Sequence, residues 1–281
     1  MRNNRLVPCL IALLWLPISA FAQSILGSAG NFTILGGAAV SSTGNTIISG
    51  GNVGSATAVS DFPPAVVTGG GVVTTDTTVV NPALADLKKA AAGLSKMASN
   101  ADESGLNLGV MTLLPGVYSF SSSELMDGTL TLNANGMNNA YWVFQIGSTL
   151  TTTASSAVTL INPGTNGGSD DGIYWDVGTG ITIGDGNQLL GNYLAGTSIT
   201  FGGTTSGSGR ALAQDAVTLD DNSINASGGP GGSGWSSGLM FNAMGNVVPV
   251  PEPATFLWLA PLGAMGWALW RRRSVVHPLV T

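Results

Sequence analysis

The chain has 281 residues, 15 of them acidic against 9 basic, and only 9% of it is charged while 44% is hydrophobic. Helix-favouring Lys, Glu, Arg and Gln are scarce, and 41 glycines set among many Thr, Val and Ala point to short strands joined by tight turns. So acidic a chain, with so few cations, excludes a surface that holds phosphates by counterion release, and with it a nucleic-acid partner.

At the N-terminus, "MRNNRLVPCLIALLWLPISAFAQS" has two arginines, an apolar run and the small-x-small site Ala20-Phe21-Ala22. Residues 1–22 are expected to be a secretory signal peptide cleaved after Ala22. The apolar run is short for a membrane anchor, and Cys9 is expected to leave with the peptide. From Gln23 to Val250 there is then no Cys and no His, and the only cations are Lys88, Lys89, Lys96 and Arg210 against fourteen acidic residues. Disulfides, thiol nucleophiles, Ser-His triads and His-ligated metals are excluded, and neither a cofactor nor a metal site is expected.

One helix is predicted over about residues 82–99, in "NPALADLKKAAAGLSKMASN". Asn81 is its expected cap and Pro82 its first residue. Leu84, Leu87, Ala91, Leu94 and Ala98 fall along one face.

Beyond it the chain repeats itself. "FQIGSTLT" (Phe144 to Thr151), "WDVGTGIT" (Trp175 to Thr182), "YLAGTSIT" (Tyr193 to Thr200) and "ALAQDAVT" (Ala211 to Thr218) align without gaps, the last three at a spacing of eighteen residues. An insertion containing "NPGTNGGSDDG" displaces the first, and "ILGGAAVS" (Ile34 to Ser41) fits the template more loosely. That period suits one turn of a three-sided parallel β-helix, in a mainly β fold.

Strand alternation assigns directions. Leu150, Ile181, Ile199 and Val217 form one inward column, and Ile183, Phe201 and Leu219 another. The residue between them points outward: Thr151, Thr182, Thr200 and Thr218, with Ser41 in the N-terminal copy. Three residues earlier stands a second polar column of Ser148, Thr179, Thr197 and Asp215. The preceding strands, "YWVFQI", "IYWDV", "NYLA" and "RALA", are apolar at nearly consecutive positions, so both their faces are expected to be buried. The helix is the element available to cover them, and stretches such as "GGTTSGSG" would form the third side.

The β-helical domain is expected to span residues 23–224. After Ile224, residues 225–247, which open with "NASGGPGGSGWSSG", are expected to be a flexible Gly-rich tether. Residues 248–281 hold Pro251, Glu252 and Pro253, an apolar stretch from Ala254 to Trp270, and the basic cluster Arg271, Arg272 and Arg273. Physically this reads as a short membrane-spanning segment with its positive end in the cytoplasm. It resembles the PEP-CTERM sorting signal of Gram-negative bacteria. That resemblance implies processing by an exosortase, transient anchoring in the inner membrane, and release or display at the cell surface. A plain C-terminal anchor is the alternative.

Several further stretches appear in an order found in one family: "ILGSAGNFTILGGAAVSSTGNT", "SDFPPAVVTGG", "ALADLKKAAAGL", "LLPGVYSFSSSELMDGTLTLNANGMNNAYWVFQIGSTLTT" and "GRALAQDAVTLDDNSI". From about Ile25 to Ile224 the chain resembles the microbial ice-binding proteins of the DUF3494 type. The resemblance implies an irregular right-handed β-helix with a long helix beside it, and ice or ordered water as the partner of a flat face rich in Thr, Ser and Ala. Some members carry T-A/G-x-T/N there. "TGIT" at Thr179 to Thr182 fits and "TSIT" at Thr197 to Thr200 nearly fits, whereas Asp215 departs in charge. The expected ice-binding face is thus Ser41, Ser148, Thr151, Thr179, Thr182, Thr197, Thr200, Asp215 and Thr218, on a monomer.

Two other classes stand beside this one. A rigid solenoid at the cell surface could be a structural or adhesive protein that contacts exopolysaccharide. A β-helix polysaccharide lyase or hydrolase would need paired carboxylates or a basic residue in a groove. Asp170, Asp171 and Asp176 cluster in sequence, as do Asp215, Asp220 and Asp221, with Arg210 the nearest cation. Turn and loop roles suit these aspartates better, and the protein is not expected to be an enzyme.

Overall fold

The computed structural model describes residues 24–251. The expected signal peptide, and Glu252, Pro253 and Arg271 to Arg273 of the expected sorting signal, lie outside the described residues; Pro251 is the last of them.

The chain coils into a β-solenoid of parallel strands. One coil lays down Tyr141–Ile146, Leu150–Thr152 and Ala157–Ile161, and the next Gly172–Val177 and Ile181–Ile183. The strand Gln188–Ala195 then turns a corner: Gln188 pairs with Ala157, while Asn192 to Ala195 pair with Tyr174 to Val177. Gly191 makes that corner at φ 106°, and Gly209 stacks on it at φ 138°. A Cβ at Gly209 would collide with the Gly191 carbonyl oxygen, so the corner is restricted to glycine twice over.

The coils do not stack in chain order. Seven short strands form one sheet in the order Glu124–Met126, Leu150–Thr152, Ile181–Ile183, Ile199–Phe201, Ala216–Asp220, Ala39–Thr43, Ala58–Ser60. The N-terminal coil therefore lies against the last repeat, with Ser41 opposite Thr218 and Ile34 opposite Ala211.

Inside, rings climb the solenoid one coil at a time. Tyr118, Phe144, Trp175 and Tyr193 occupy one ladder position and stack with centroids 6.1, 4.0 and 5.3 Å apart. Each such contact adds about 0.5–1.5 kcal/mol beyond the area it buries. The indole Nε1 of Trp175 donates to Leu190 O at 3.1 Å, and that of Trp142 to Leu113 O at 3.2 Å, so neither N–H is stranded in the core.

The opposite faces of the same strands present Leu35, Val117, Val143, Tyr174, Leu194 and Leu212 to a second apolar cluster, which the helix closes with Val80, Ala83, Leu87, Ala90 and Leu94. The strands are buried on both faces for this reason. The helix itself runs Thr77–Leu94, five residues earlier than the sequence suggests, and its cap is Asp76, not Asn81. The Asp76 carboxylate accepts from Thr78 N at 2.9 Å and Thr78 Oγ1 at 2.7 Å. Pro82 then sits inside the helix, where its missing N–H forfeits only the bond to the Thr78 carbonyl. The buried stripe is rotated toward Ala83 and Ala90; Leu84 and Ala91 are half-buried and Ala98 lies exposed beyond the end.

Residues 225–247 correct the expectation of a flexible tether. Ser223–Asn225 is a strand between Ser206–Ala213 and Ile47–Ser49. Trp235 enters the solenoid core at 4% exposure and donates to Ser208 Oγ at 2.9 Å. Leu239–Phe241 and Val247–Pro249 pair antiparallel, with Leu239, Phe241 and Val247 packed in the helix-side cluster. The glycines form turns between a few well-spaced apolar anchors, and the anchors decide the outcome. Trp235→Ala is expected to destabilise the protein by about 3–5 kcal/mol, as for other buried aromatic deletions; denaturant unfolding checks this, and an unchanged midpoint would restore the tether.

Candidate functional site

Four of the seven strands, Glu124–Met126, Leu150–Thr152, Ile181–Ile183 and Ile199–Phe201, show the same burial pattern of in, out, in. Leu150, Ile181, Ile199 and Val217 are fully or almost fully buried, and so are Ile183, Phe201 and Leu219. The residue between is lifted out by the pleat. Register pairs it coil to coil as Thr151 with Thr182, Thr182 with Thr200, Thr200 with Thr218 and Thr218 with Ser41. The four threonines are exposed and Ser41 is half-buried. Strand spacing sets a step of about 4.8 Å between them.

The second column is also a true ladder. Thr179 N donates to Ser148 O at 3.0 Å, Thr197 N to Thr179 O at 2.9 Å, and Asp215 N to Thr197 O at 2.9 Å. Thr179, Thr197 and Asp215 are exposed and Ser148 half-buried. The nine predicted face residues thus form two rows, one on the strands of a single parallel sheet and one in the bends that lead into those strands.

Hydroxyls bound within the protein stand at the margins of this face. Thr149 Oγ1 donates to Ser123 Oγ at 2.8 Å, Thr153 Oγ1 to Asp127 Oδ1 at 2.7 Å, and Thr43 Oγ1 to Asp220 Oδ1 at 2.8 Å. Among the described residues, the hydroxyls of Thr151, Thr182, Thr200 and Thr218 keep no such partner, so they stay available to solvent. Their β-branched side chains hold χ1 nearly fixed.

Sequence reasoning missed both ends of the ladder. Ser60 pairs with Ser41, and Leu125 pairs with Thr151. "TAVS" before Asp61 echoes "AAVS" at Ser41 and could have revealed the first. The second was hidden because Glu124 stands where the other coils have Leu, Ile or Val. That residue is 5% exposed, and burial raises its carboxyl pKa above the usual carboxylate range.

Among the described residues Asp170 and Asp171 are adjacent carboxylates, and burial together with Asp170 raises the Asp171 pKa, but Asp176 does not join them. Asp171 and Asp176 lie at opposite ends of the strand Gly172–Val177, about 16 Å apart at strand rise. Asp171 accepts from Ala140 N at 2.9 Å, and burial pushes its pKa to about 6 against that hydrogen bond. Asp176 lies beneath the helix, where burial pushes it to about 7. Asp220 accepts from Thr43, and Asp221 holds the Asn45 backbone N–H at a turn. Arg210 is built into the interior, donating to Gly30 O, Asn192 Oδ1 and Gly234 O at 3.1, 3.0 and 3.2 Å.

A parallel β-solenoid with one exposed hydroxyl-bearing sheet and one helix-covered face is the architectural class these observations define. The chain belongs to the ice-binding-like family, whose model matches residues 34–225, and a PEP-CTERM protein-sorting motif follows at residues 249–273. An ice-binding protein of Nostoc sp. (strain HG1) is 43% identical over 208 residues, covering 73% of this chain and 75% of that one. The crystal structure of an ice-binding protein from the Antarctic ascomycete Antarctomyces psychrotrophicus superposes with a TM-score of 0.67 at 34% identity, covering 72% of this chain and 97% of that one. A second, from an Antarctic biological consortium, gives 0.65 at 33% identity over 75% of this chain and 95% of its own. The sorting motif marks the protein as secreted or displayed at the surface of a Gram-negative cell.

Asp171 and Asp176 also fix a pH dependence. Both hold a proton more tightly in the folded protein, at about 6 and about 7, than an ordinary aspartate at 3.8. Their contribution to stability is therefore fully present below about pH 4 and is lost as pH rises through those two values. The melting temperature is expected to fall from pH 5 to pH 8, and Asp176→Asn should make that fall smaller; a flat or rising profile in the parent would contradict the assignment.

Proposed function

We propose that the protein binds ice through two polar rows: Thr151, Thr182, Thr200, Thr218 and Ser41 on the seven-stranded sheet, with Ser148, Thr179, Thr197 and Asp215 in the bends leading into its strands. The observation that carries the proposal is the unbroken register of outward threonines along one parallel sheet, in a chain of the ice-binding-like family.

The chemistry follows from threonine itself. Each residue fixes a hydroxyl and a methyl on a stiff side chain, repeated at about 4.8 Å along the solenoid. The hydroxyls anchor water and the methyls limit how freely that water turns, so the bound layer approaches the order of a crystal surface. Each contact is weak, and the number made at once sets the strength. Asp215 interrupts the second row with a charge that keeps its own hydration shell, so the coil bearing it contributes less. The face acts as a monomeric surface and needs no cofactor or covalent step.

The sorting motif supports delivery to the outside of the cell, with exosortase cleavage following transient anchoring in the inner membrane. There the face would meet external ice, either to restrain its growth or to hold the cell to it. Thr182→Tyr combined with Thr200→Tyr is expected to reduce thermal hysteresis and ice recrystallisation inhibition to the level of buffer. Both sites are exposed, so the melting temperature should hold. Full activity in the double variant would move the binding face elsewhere.

A further inference from the structure

The helix covers its own set of strands incompletely. A cleft of about 610 Å³ opens between Leu87, Ala91 and Ala92 of the helix and Ile146, Val177 and Ala195 of the strands. The small side chains on both sides leave the gap. Its volume falls within the range of small-molecule sites, about 300–1,000 Å³.

One carboxylate enters it. Asp176 projects from the strand floor at 9% exposure, and among the described residues it accepts no hydrogen bond. Its ladder neighbour behaves differently: Gln145 Nε2 donates to Leu94 O at 2.7 Å and Met97 O at 2.9 Å, tying down the helix end. Gln214 Nε2 reaches Leu84 O at 3.3 Å. Asp176 alone in this group has no structural task. The other charged residue lining the cleft is Lys88, on the exposed side of the helix. It leaves no mark on Asp176, whose proton affinity is raised by burial alone.

We propose that this cleft is a binding site for a small amphiphilic ammonium compound, with the cation on Asp176 and an apolar body against Leu87, Ala91 and Leu194. A carboxylate among apolar walls is costly unless a cation meets it, and an ammonium supplies both the charge and the hydrogen bond. Ser95 at the rim, whose Oγ donates to Ala92 O, keeps acceptor capacity for a second ammonium N–H. The ligand's apolar body fills the remaining volume. Binding draws the proton off Asp176, so affinity rises with pH through neutrality; Lys88 is the other charged group lining the cleft.

Calorimetry and methyl NMR with benzylammonium chloride, and with benzyl alcohol as its uncharged counterpart, test the proposal on the purified protein. Benzylammonium is expected to bind with Kd below about 1 mM, to shift the methyl signals of Leu87, Ala91 and Leu194, and to release protons at pH 6.5. Benzyl alcohol should bind at least about tenfold more weakly, a difference of about 1.4 kcal/mol. Asp176→Asn should remove the preference for the cation. Ala92→Phe, on an exposed helix position, should block both probes without lowering the melting temperature, and Lys88→Ala should leave the affinity intact or raise it. Equal binding of the two probes, retained affinity in Asp176→Asn, or unshifted cleft methyls at millimolar benzylammonium would overturn the proposal.

Discussion

Everything on the hydroxyl face depends on register. A parallel strand has a side-chain period of two, so a slip of one residue would turn the threonines inward and Ile181, Ile199 and Val217 out to solvent. Burial of the isoleucines is thus what presents the threonines. The aromatic ladder of Tyr118, Phe144, Trp175 and Tyr193 fixes the same register from the neighbouring strands, since rings stack only when their coils are in step. Two apolar constraints, one on each side of a corner, determine the spacing of a polar surface that contributes little to stability.

The helix and the C-terminal segment complete the structure in a complementary way. Strands such as Tyr141–Ile146 and Gly172–Val177 are apolar on both faces and need a cover. The helix Thr77–Leu94 supplies most of it, and Leu239, Phe241 and Val247 extend it. Because the cover packs on the strands before each bend and not on the threonine sheet, the hydroxyl face stays exposed. The closure of the N-terminal coil onto the last repeat, Ser41 upon Thr218, joins residues 177 apart in the chain. Contacts of that separation slow folding, because the loop must close before the pairing can reward it.

The repeat was the legible part of the sequence. Eighteen-residue spacing between Thr182, Thr200 and Thr218 revealed their register directly, and the doubly apolar strands announced a covering helix. What stayed hidden shows where pattern reading fails physically. Asp76 is a better cap than Asn81 only because the helix tolerates Pro82 in its second turn, which propensity alone disfavours. Trp235 is one aromatic among glycines, and composition outweighed it although a single buried indole can fix a segment. Glu124 masked the coil that extends the ladder. Nor does sequence order reveal that the first coil packs against the last.

The central claim is that ice meets the sheet carrying Thr200 and not the helix-covered side. Residues 23–250 contain no cysteine, so a single one can carry a bulky fluorophore once Cys9 is changed to serine. The decisive measurement is uptake of labelled protein into a growing ice front, with the label at Thr200→Cys or at Lys88→Cys. The account predicts that protein labelled at residue 88 enters the ice while protein labelled at residue 200 is rejected into the liquid. Uptake of the Thr200-labelled protein, with rejection of the other, would contradict it.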